Sequence, residues 1–138
     1  MVKISAVIIA FNEEKKIGAC LQSLQGIADE IVVVDSFSTD GTEEICRKYQ
    51  VRFIQTSFKG YIDQKNFALQ KASFDHVLSL DADEVVSEKL AASILKIKKR
   101  WGSFDGYAFN RLNNYCGKWI HFCGWYPDRK IRLWDRRK

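Results

Sequence analysis

The sequence has few of the features that mark secreted, membrane-spanning or unfolded chains. One proline and four cysteines among 138 residues indicate neither a disordered chain nor a dense disulfide framework. No apolar run reaches the roughly 20 residues that a membrane helix needs, and residues 2–10 lack the basic leader and cleavage site of a secretory signal. We therefore expect a cytoplasmic protein with a hydrophobic core and reduced cysteines.

Glycine-rich signatures of several nucleotide-using enzyme classes are also missing. No G-x-G-x-x-G follows the first apolar run and no G-x-x-x-x-G-K-[ST] occurs, which disfavours nicotinamide and P-loop enzymes. Enzymes that transfer nucleotides to sugar phosphates are the nearest alternative class, and they have a Gly-rich, Arg-containing loop after the first strand. That loop is absent as well.

The basic charge lies at one end of the chain. Acidic and basic residues balance over residues 1–104, and the whole excess of +5 lies in residues 105–138. Such a skew favours an anionic partner such as a diphosphate, a phosphorylated glycolipid or a lipid headgroup, while a merely solvated basic tail is the alternative. Charge alone does not exclude nucleic acid, but we expect no nucleic-acid partner.

Apolar runs alternate with helical patterns along the chain. Five runs predict strands, at residues 5–10, 30–35, 51–55, 76–80 and 106–112. Because every inner position of residues 30–35 is apolar, this run is typical of a parallel strand covered on both faces. The βαβα order predicts an α/β fold with a doubly wound, mostly parallel sheet, in one domain over residues 1–138.

Helix signals refine this pattern at two places. Asp40 and Glu43 resemble a capping box, and Ser87 is expected to cap a later helix. The later helix has an apolar stripe that we expect to be buried: Leu90, Ile94, Ile97 and Trp101. Its basic residues are expected to be mostly solvated: Lys96, Lys98, Lys99 and Arg100.

Acidic and polar residues follow three of the predicted strands. Residues 11–14 follow the first strand, residues 35–42 the second, and Asp81, Ala82, Asp83 and Glu84 the fourth. Ligands of open α/β sheets bind beyond the carboxyl ends of the strands. We therefore expect these residues to meet at one edge of the sheet and to form the functional site.

The Asp81-Ala82-Asp83 segment is the candidate metal site. Two aspartates at a strand end present carboxylate oxygens to a hard divalent cation, and Mg²⁺ or Mn²⁺ bound in this way keeps positions open for substrate phosphates. Such a cation assists departure of a diphosphate. Helix capping together with surface charge is the alternative interpretation.

Three segments together resemble glycosyltransferase family 2, whose members have the GT-A fold, a Rossmann-like α/β arrangement. They are residues 7–14, 31–42 and 78–84. Within the family, residues 124–133 resemble the bacterial lipopolysaccharide core hexosyltransferases. This resemblance implies that residues 105–138 begin the acceptor side, and that the chain is the amino-terminal part of a longer enzyme and is truncated at its carboxyl end.

The resemblance also implies roles for individual residues. Contacts with the nucleoside base and ribose are implied for Ala10, Phe11, Asn12, Glu13 and Asp35. Asp81, Ala82 and Asp83 would face the donor, with Asp83, assisted by Asp81, as the metal ligand. Lys65 and Asn66 would lie near the donor at the start of a helix, although Lys65 equally fits an exposed helix residue.

The last part of the chain holds the weaker candidates. Asp128 is the best available general base for an inverting transfer, while a turn after Pro127 is its alternative role. The aromatic segment 115–126, with Arg129, Lys130 and Arg132, fits either sugar-phosphate binding or closure of the core and contact with a membrane. A zinc site at Cys116, His121 and Cys123 is disfavoured, because only three ligands are present.

These features and the resemblance predict a metal-dependent inverting glycosyltransferase. It would move a hexose from a nucleotide diphosphate sugar, with UDP-sugar preferred, to a glycolipid or lipopolysaccharide core acceptor. Its expected location is the cytoplasm, with possible peripheral contact at the inner face of the plasma membrane. A donor-binding module without turnover is the alternative.

Overall fold

A six-stranded mixed sheet lies at the centre of the protein. The computed structural model describes residues 1–111, 113–115, 118–120 and 128–138, and the side chains of residues 1–109 and 131–138. The strands are β1 (Ile4–Ala10), β2 (Glu30–Asp35), β3 (Arg52–Gln55), β4 (His76–Asp81), β5 (Gly106–Arg111), β6 (Asn113–Tyr115), β7 (Lys118–Ile120) and β8 (Asp128–Asp135). The helices are α1 (Ile17–Ser23), α2 (Thr42–Arg47), α3 (Tyr61–Lys71) and α4 (Glu88–Lys99).

The strand order confirms the predicted α/β class. The central sheet has the order β3-β2-β1-β4-β8-β5, and β6 pairs with β7 in a separate two-stranded sheet. Strands β1 to β4 are parallel to one another, whereas β8 runs antiparallel to both β4 and β5. The sheet is therefore mostly parallel, with one reversed strand inserted near its edge.

Alternation along β1 explains why helices cover both faces of the sheet. Ile4, Ala6 and Ile8 pack into one core, together with buried residues of α1, α2 and α4. Val7 belongs to the opposite core, which contains Ala68 of α3. Since successive side chains of a strand point to opposite faces, a run that is apolar at every position requires helices on both sides.

Strand β8 was not predicted. It lies between β4 and β5, where Leu133 is completely buried and pairs with Leu78. Most of its eight residues are charged, so the apolar alternation that marks a strand is weak. The pairing of β8 with β4 and β5 in the folded protein identifies it as a strand.

Lys98 corrects the prediction of a solvated basic face on α4. It lies one helical turn after the fully buried Ile94 and is only 5% exposed. Its Nζ lies 2.6 Å from Asp29 Oδ2 and donates to the Ile27 carbonyl at 3.1 Å. The other three basic residues are exposed as expected, and Lys98 is the exception because its long stem spans apolar surface while its head finds polar partners.

The helix starts agree with the sequence in one case and differ in the other. Ser87 Oγ accepts a hydrogen bond from the Leu90 N–H, as expected for a cap. The capping box at Asp40 was wrong: Asp40 accepts from the Thr42 N–H, and Glu43 pairs instead with Arg47.

The two described cysteines are inert core residues, as expected. Cys20 and Cys46 are buried and free, and burial raises the pKa of each thiol to about 12. Both therefore stay protonated at neutral pH. No helix in the described ranges is long and apolar enough to cross a membrane.

Glu30 joins the amino ends of several strands. It accepts hydrogen bonds from Ser5 of β1, from Arg52 of β3, and from both the N–H and the hydroxyl of Ser73, which precedes β4. Burial by itself raises the Glu30 pKa, but these hydrogen bonds outweigh it and lower the pKa to about 2. The carboxylate therefore stabilises the fold in its charged form.

Replacing Lys98 is expected to destabilise the fold. Lys98→Met keeps the apolar stem but leaves Asp29 and the Ile27 carbonyl without their partner, and loss of such charged hydrogen bonds costs about 1–3 kcal/mol. Urea unfolding measures the change. Lys99→Met, an exposed neighbour on the same turn, is the control, and equal stabilities of the two variants would contradict a stabilising role of the contacts of Lys98 with Asp29 and Ile27.

Glu30→Gln is expected to weaken the dependence of stability on acid pH. The folded-state pKa of Glu30 lies below its ordinary value of 4.5, so its contribution is complete above that value and is lost as the pH falls toward about 2. Unfolding free energies measured across this window should fall less steeply in the variant than in the wild type. An unchanged slope would contradict the role of Glu30, and the exposed Glu44→Gln is the control.

Candidate functional site

The carboxyl ends of β1, β2 and β4 meet at one edge of the sheet. In the strand register Ala10 lies opposite Asp35, and Ile9 lies opposite Asp81. The loops that leave these strands start side by side, because the three strands are parallel and adjacent. The predicted acidic segments therefore converge, as expected.

A cleft of about 460 Å³ opens at this edge. It is lined by six of the residues predicted for the site: Ala10, Phe11, Glu13, Asp81, Ala82 and Asp83. Residues from the β1 loop thus face residues from the β4 loop across a space large enough for a small ligand.

The turn after β4 is anchored by its middle residue. Ala82 is 3% exposed and belongs to the main core, while Asp81 is partly exposed and Asp83 is exposed. Lys65 Nζ lies 3.3 Å from Asp81 Oδ1, and both side chains are more than a third exposed. Such a pair contributes about 1 kcal/mol or less, so a ligand can displace it easily.

Negative charge is concentrated at this turn. Burial raises the pKa of Glu13, and the charge of Asp83 raises it further. A cation would relieve this repulsion. The described residues contain no group of three or more His, Cys, Asp or Glu that could hold a metal alone, but Mg²⁺ or Mn²⁺ commonly uses one or two carboxylates and completes its shell with substrate phosphates and water. Asp81 and Asp83 fit that arrangement.

Asp35 is not among the described residues that line the cleft, and it organises the β2 loop. It is completely buried. Its carboxylate accepts from the Ser38 N–H at 2.8 Å, from the Ser38 hydroxyl at 2.5 Å and from Gln55 Nε2 at 3.3 Å. The contact with a base that the resemblance implies stays a prediction. In the described structure Asp35 fixes a loop that borders the cleft.

Asn12 joins the β1 loop to the β2 loop. Its N–H donates to Ser38 Oγ, and its Oδ1 accepts from the Thr39 N–H, both at 2.8 Å. Its φ of 51° lies in the left-handed region that asparagine tolerates better than most residues. This geometry explains why a short amide occurs here, next to Phe11, which is 55% exposed and lines the cleft.

Helix α3 supplies cleft residues that the sequence did not identify. Tyr61 and Gln64, one turn apart, line the cleft together with Phe58, Ser36 and Ile9. Gln64 is buried and donates to Ser36 Oγ at 2.9 Å. Gln64 and Lys65 lie three and four residues after Tyr61 in the sequence, which places the three side chains on one face of a helix. This spacing could have identified Tyr61 and Gln64 as neighbours of the predicted Lys65.

The two α3 residues implied by the resemblance differ in their surroundings. Lys65 reaches the site through its contact with Asp81. Asn66 is exposed and is not among the described residues that line the cleft. Their donor contacts stay predictions.

The candidates in the last part of the chain fall mostly outside the described residues. The backbone of Asp128 begins β8 rather than a turn, but its side chain lies outside the described part, as do most of the aromatic segment 115–126 and the cysteines and histidine weighed for zinc. Arg132 is described. It is 9% exposed and contacts Glu84, so it packs inside the fold rather than offering a free charge to a sugar phosphate.

Comparison with known families identifies the family of this chain. The sequence model described as Glycosyl transferase family 2 matches residues 5–116. The chain belongs to glycosyltransferase family 2. Lipopolysaccharide core biosynthesis glycosyltransferase LpsC of Rhizobium meliloti is 42% identical over 92 residues, which cover 63% of this chain and 34% of LpsC. An uncharacterized glycosyltransferase of Rickettsia typhi is 42% identical over 94 residues, covering 68% of this chain and 32% of that protein.

Solved structures confirm the GT-A fold of this family 2 chain. Staphylococcus aureus TarS 1–349 in complex with UDP-GlcNAc aligns with a TM-score of 0.65 at 27% identity, over 86% of this chain and 36% of TarS. Glucosyl-3-phosphoglycerate synthase from Mycobacterium tuberculosis, with Mn²⁺, UDP and phosphoglyceric acid, aligns with a TM-score of 0.54 at 30% identity, over 61% of this chain and 34% of the synthase. The chain spans about a third of the length of these relatives.

Substitutions of Asn12 separate its hydrogen bonds from its backbone conformation. Asn12→Gly keeps the left-handed backbone and loses the side-chain hydrogen bond, at a cost of about 1 kcal/mol. Asn12→Ala adds the strain of a left-handed alanine, about 1–2 kcal/mol more. Thermal unfolding of both variants tests this order, with the exposed Asn66→Ala as the control. A glycine variant no more stable than the alanine variant would contradict the interpretation.

Proposed function

We propose that this chain forms the donor-binding part of a metal-dependent, inverting glycosyltransferase. The enzyme would transfer a hexose from a nucleotide diphosphate sugar, with UDP-sugar preferred, to a glycolipid or lipopolysaccharide core acceptor. One observation carries the proposal: the Asp81–Asp83 turn and Glu13 face a single cleft at the carboxyl edge of the sheet.

The walls of the cleft suit the two chemical parts of such a donor. Phe11, Phe58 and Tyr61 offer exposed aromatic surface for the flat nucleoside base. Asp81 and Asp83 would hold a divalent cation, and Lys65 would exchange its weak contact with Asp81 for the diphosphate. The UDP-GlcNAc complex of TarS and the UDP and Mn²⁺ complex of the mycobacterial synthase support this assignment of ligand class.

In the proposed reaction the residues of this chain bind and orient the donor. Asp81 and Asp83 would hold a divalent cation, which would supply charge stabilisation for the departing diphosphate. The ammonium group of Lys65, which lies 3.3 Å from Asp81 Oδ1, would add a second positive charge beside the same phosphates. An inverting transfer also needs a base for the acceptor hydroxyl, and Asp128 is our proposal for it within this sequence.

The proposed acceptor and location rest on one named relative and on the charge of residues 105–138. LpsC is named as a lipopolysaccharide core biosynthesis glycosyltransferase, and the charge excess of residues 105–138 suits an anionic acceptor. We therefore propose that residues 105–138 begin the acceptor side, and that the protein works in the cytoplasm, in peripheral contact with the inner face of the plasma membrane.

Titration of UDP with and without Mn²⁺ tests the donor site. Mn²⁺ is expected to strengthen UDP binding, and Asp83→Ala should lose this gain, about tenfold or more, because a charge-assisted contact is worth roughly 1.5–3 kcal/mol. Isothermal titration calorimetry gives both affinities. Asp105→Ala removes an exposed aspartate beside the amino end of β5 and should behave as the wild type.

Two results would count against the proposal. UDP binding that is absent in the wild type, or that is independent of both Mn²⁺ and Asp83, would show that the cleft is not a metal-dependent donor site. Metal-dependent binding without transfer from any UDP-hexose would favour the alternative, a donor-binding module without turnover.

A further inference from the structure

Glu84 closes the turn that carries the two aspartates. The Asp81 N–H donates to Glu84 Oε1 at 2.8 Å, and the Glu84 N–H donates back to the Asp81 carbonyl at 3.0 Å. Two reciprocal hydrogen bonds thus fix the four residues of the turn. Since Ala82 is buried between the aspartates, the orientation of both carboxylates depends on this closed turn.

The other oxygen of Glu84 is held from a different strand. Arg132 of β8 donates from Nη2 to Glu84 Oε2 at 3.1 Å. The two side chains are only 11% and 17% exposed. A nearly buried pair of this kind has a fixed geometry, and removing one partner leaves an uncompensated charge.

A register irregularity explains how Arg132 reaches Glu84. In the pairing of β5 with β8, Tyr107 lies opposite Leu133 and Ala108 lies opposite Ile131, so Arg132 is the extra residue of a bulge. The described pairing of β8 with β4 covers residues 133–135 of β8 and does not include Arg132. A bulge re-aims a side chain, and here the chain turns an arginine inward while Ile131 beside it is exposed.

We propose that Arg132 and Glu84 are positioning residues that hold the Asp81–Asp83 turn in the geometry that binds a divalent cation and a diphosphate. This inference rests on the proposed function. Neither residue needs to touch the donor, because Glu84 acts through the Asp81 backbone and Arg132 acts through Glu84. Outer partners of metal ligands act in this way, and their loss commonly weakens metal-dependent binding by about 10- to 100-fold.

The test compares UDP affinity with and without Mn²⁺ in matched variants of the full chain. The ratio of the two affinities reports the metal site, whereas a general loosening of the fold lowers both affinities together. Glu84→Gln can still accept from the Asp81 N–H but loses the charge that holds Arg132, so the ratio should fall by about tenfold. Arg132→Lys keeps the positive charge and should retain most of the ratio.

A double variant keeps the test valid if the single substitutions of Glu84 and Arg132 destabilise the fold. Replacing a buried ion pair by apolar side chains of similar size is often neutral for stability. Glu84→Leu with Arg132→Met should therefore fold, as checked by thermal unfolding, and should lose the metal-dependent ratio by about 10- to 100-fold. Glu43→Gln, which breaks the exposed Arg47 pair on α2, should leave the ratio unchanged.

The outcomes separate this inference from the proposed function. A wild type whose UDP binding does not respond to Mn²⁺ would overturn the proposed function and the inference with it. A metal response in the wild type that persists in folded Glu84 and Arg132 variants would overturn the inference alone. Equal losses with and without Mn²⁺ would also overturn it, because they would indicate a purely structural ion pair.

Discussion

The parallel pairing of β1 with both β2 and β4 is the constraint on which the site depends. It brings three strand ends to one edge and places carboxylates from distant segments around one cleft. Because these strands are buried in cores on both faces, their ends have little freedom to separate. Burial raises the pKa of Glu13, and the neighbouring charge of Asp83 raises it further, so the carboxylates at this edge repel one another. The packing of the sheet supplies the free energy that holds this unfavourable arrangement together.

The opposite end of the sheet is organised by polar groups that satisfy one another. Glu30 joins the starts of β1 and β3 to the residue that precedes β4, Lys98 reaches Asp29, and Asp135 accepts from Arg137. Among the described side chains, no buried nitrogen or oxygen lacks a partner. The two edges of the sheet therefore differ, because the charges at one edge are paired within the fold, whereas at the other edge Asp81 has an exposed contact with Lys65 and Asp83 is exposed.

The sequence predicted the features that depend on local pattern. Continuous apolar runs marked β1, β2 and β4, and the polar residues directly after them located the cleft. It did not predict features that depend on tertiary contact. Strand β8 is mostly charged, Lys98 is buried because Asp29 lies within its reach, and Tyr61 faces the cleft because α3 packs against the sheet. The polarity of a single residue does not indicate such features, since the burial of a charged side chain depends on partners that are distant in the sequence.

The position of β8 shows that the three family signatures do not by themselves complete the site. They end at residue 84, and the matched family region ends at residue 116, yet Arg132 from beyond both contacts Glu84, the residue that closes the acidic turn. Without β8, the outer side of β4 would have no strand partner and Glu84 would lose its contact with Arg132. The long-range pairing of Leu78 with Leu133 thus links the sheet edge that carries the cleft to the later part of the chain. The acidic motif supplies the chemical groups, and a strand that the motif does not include fixes their direction.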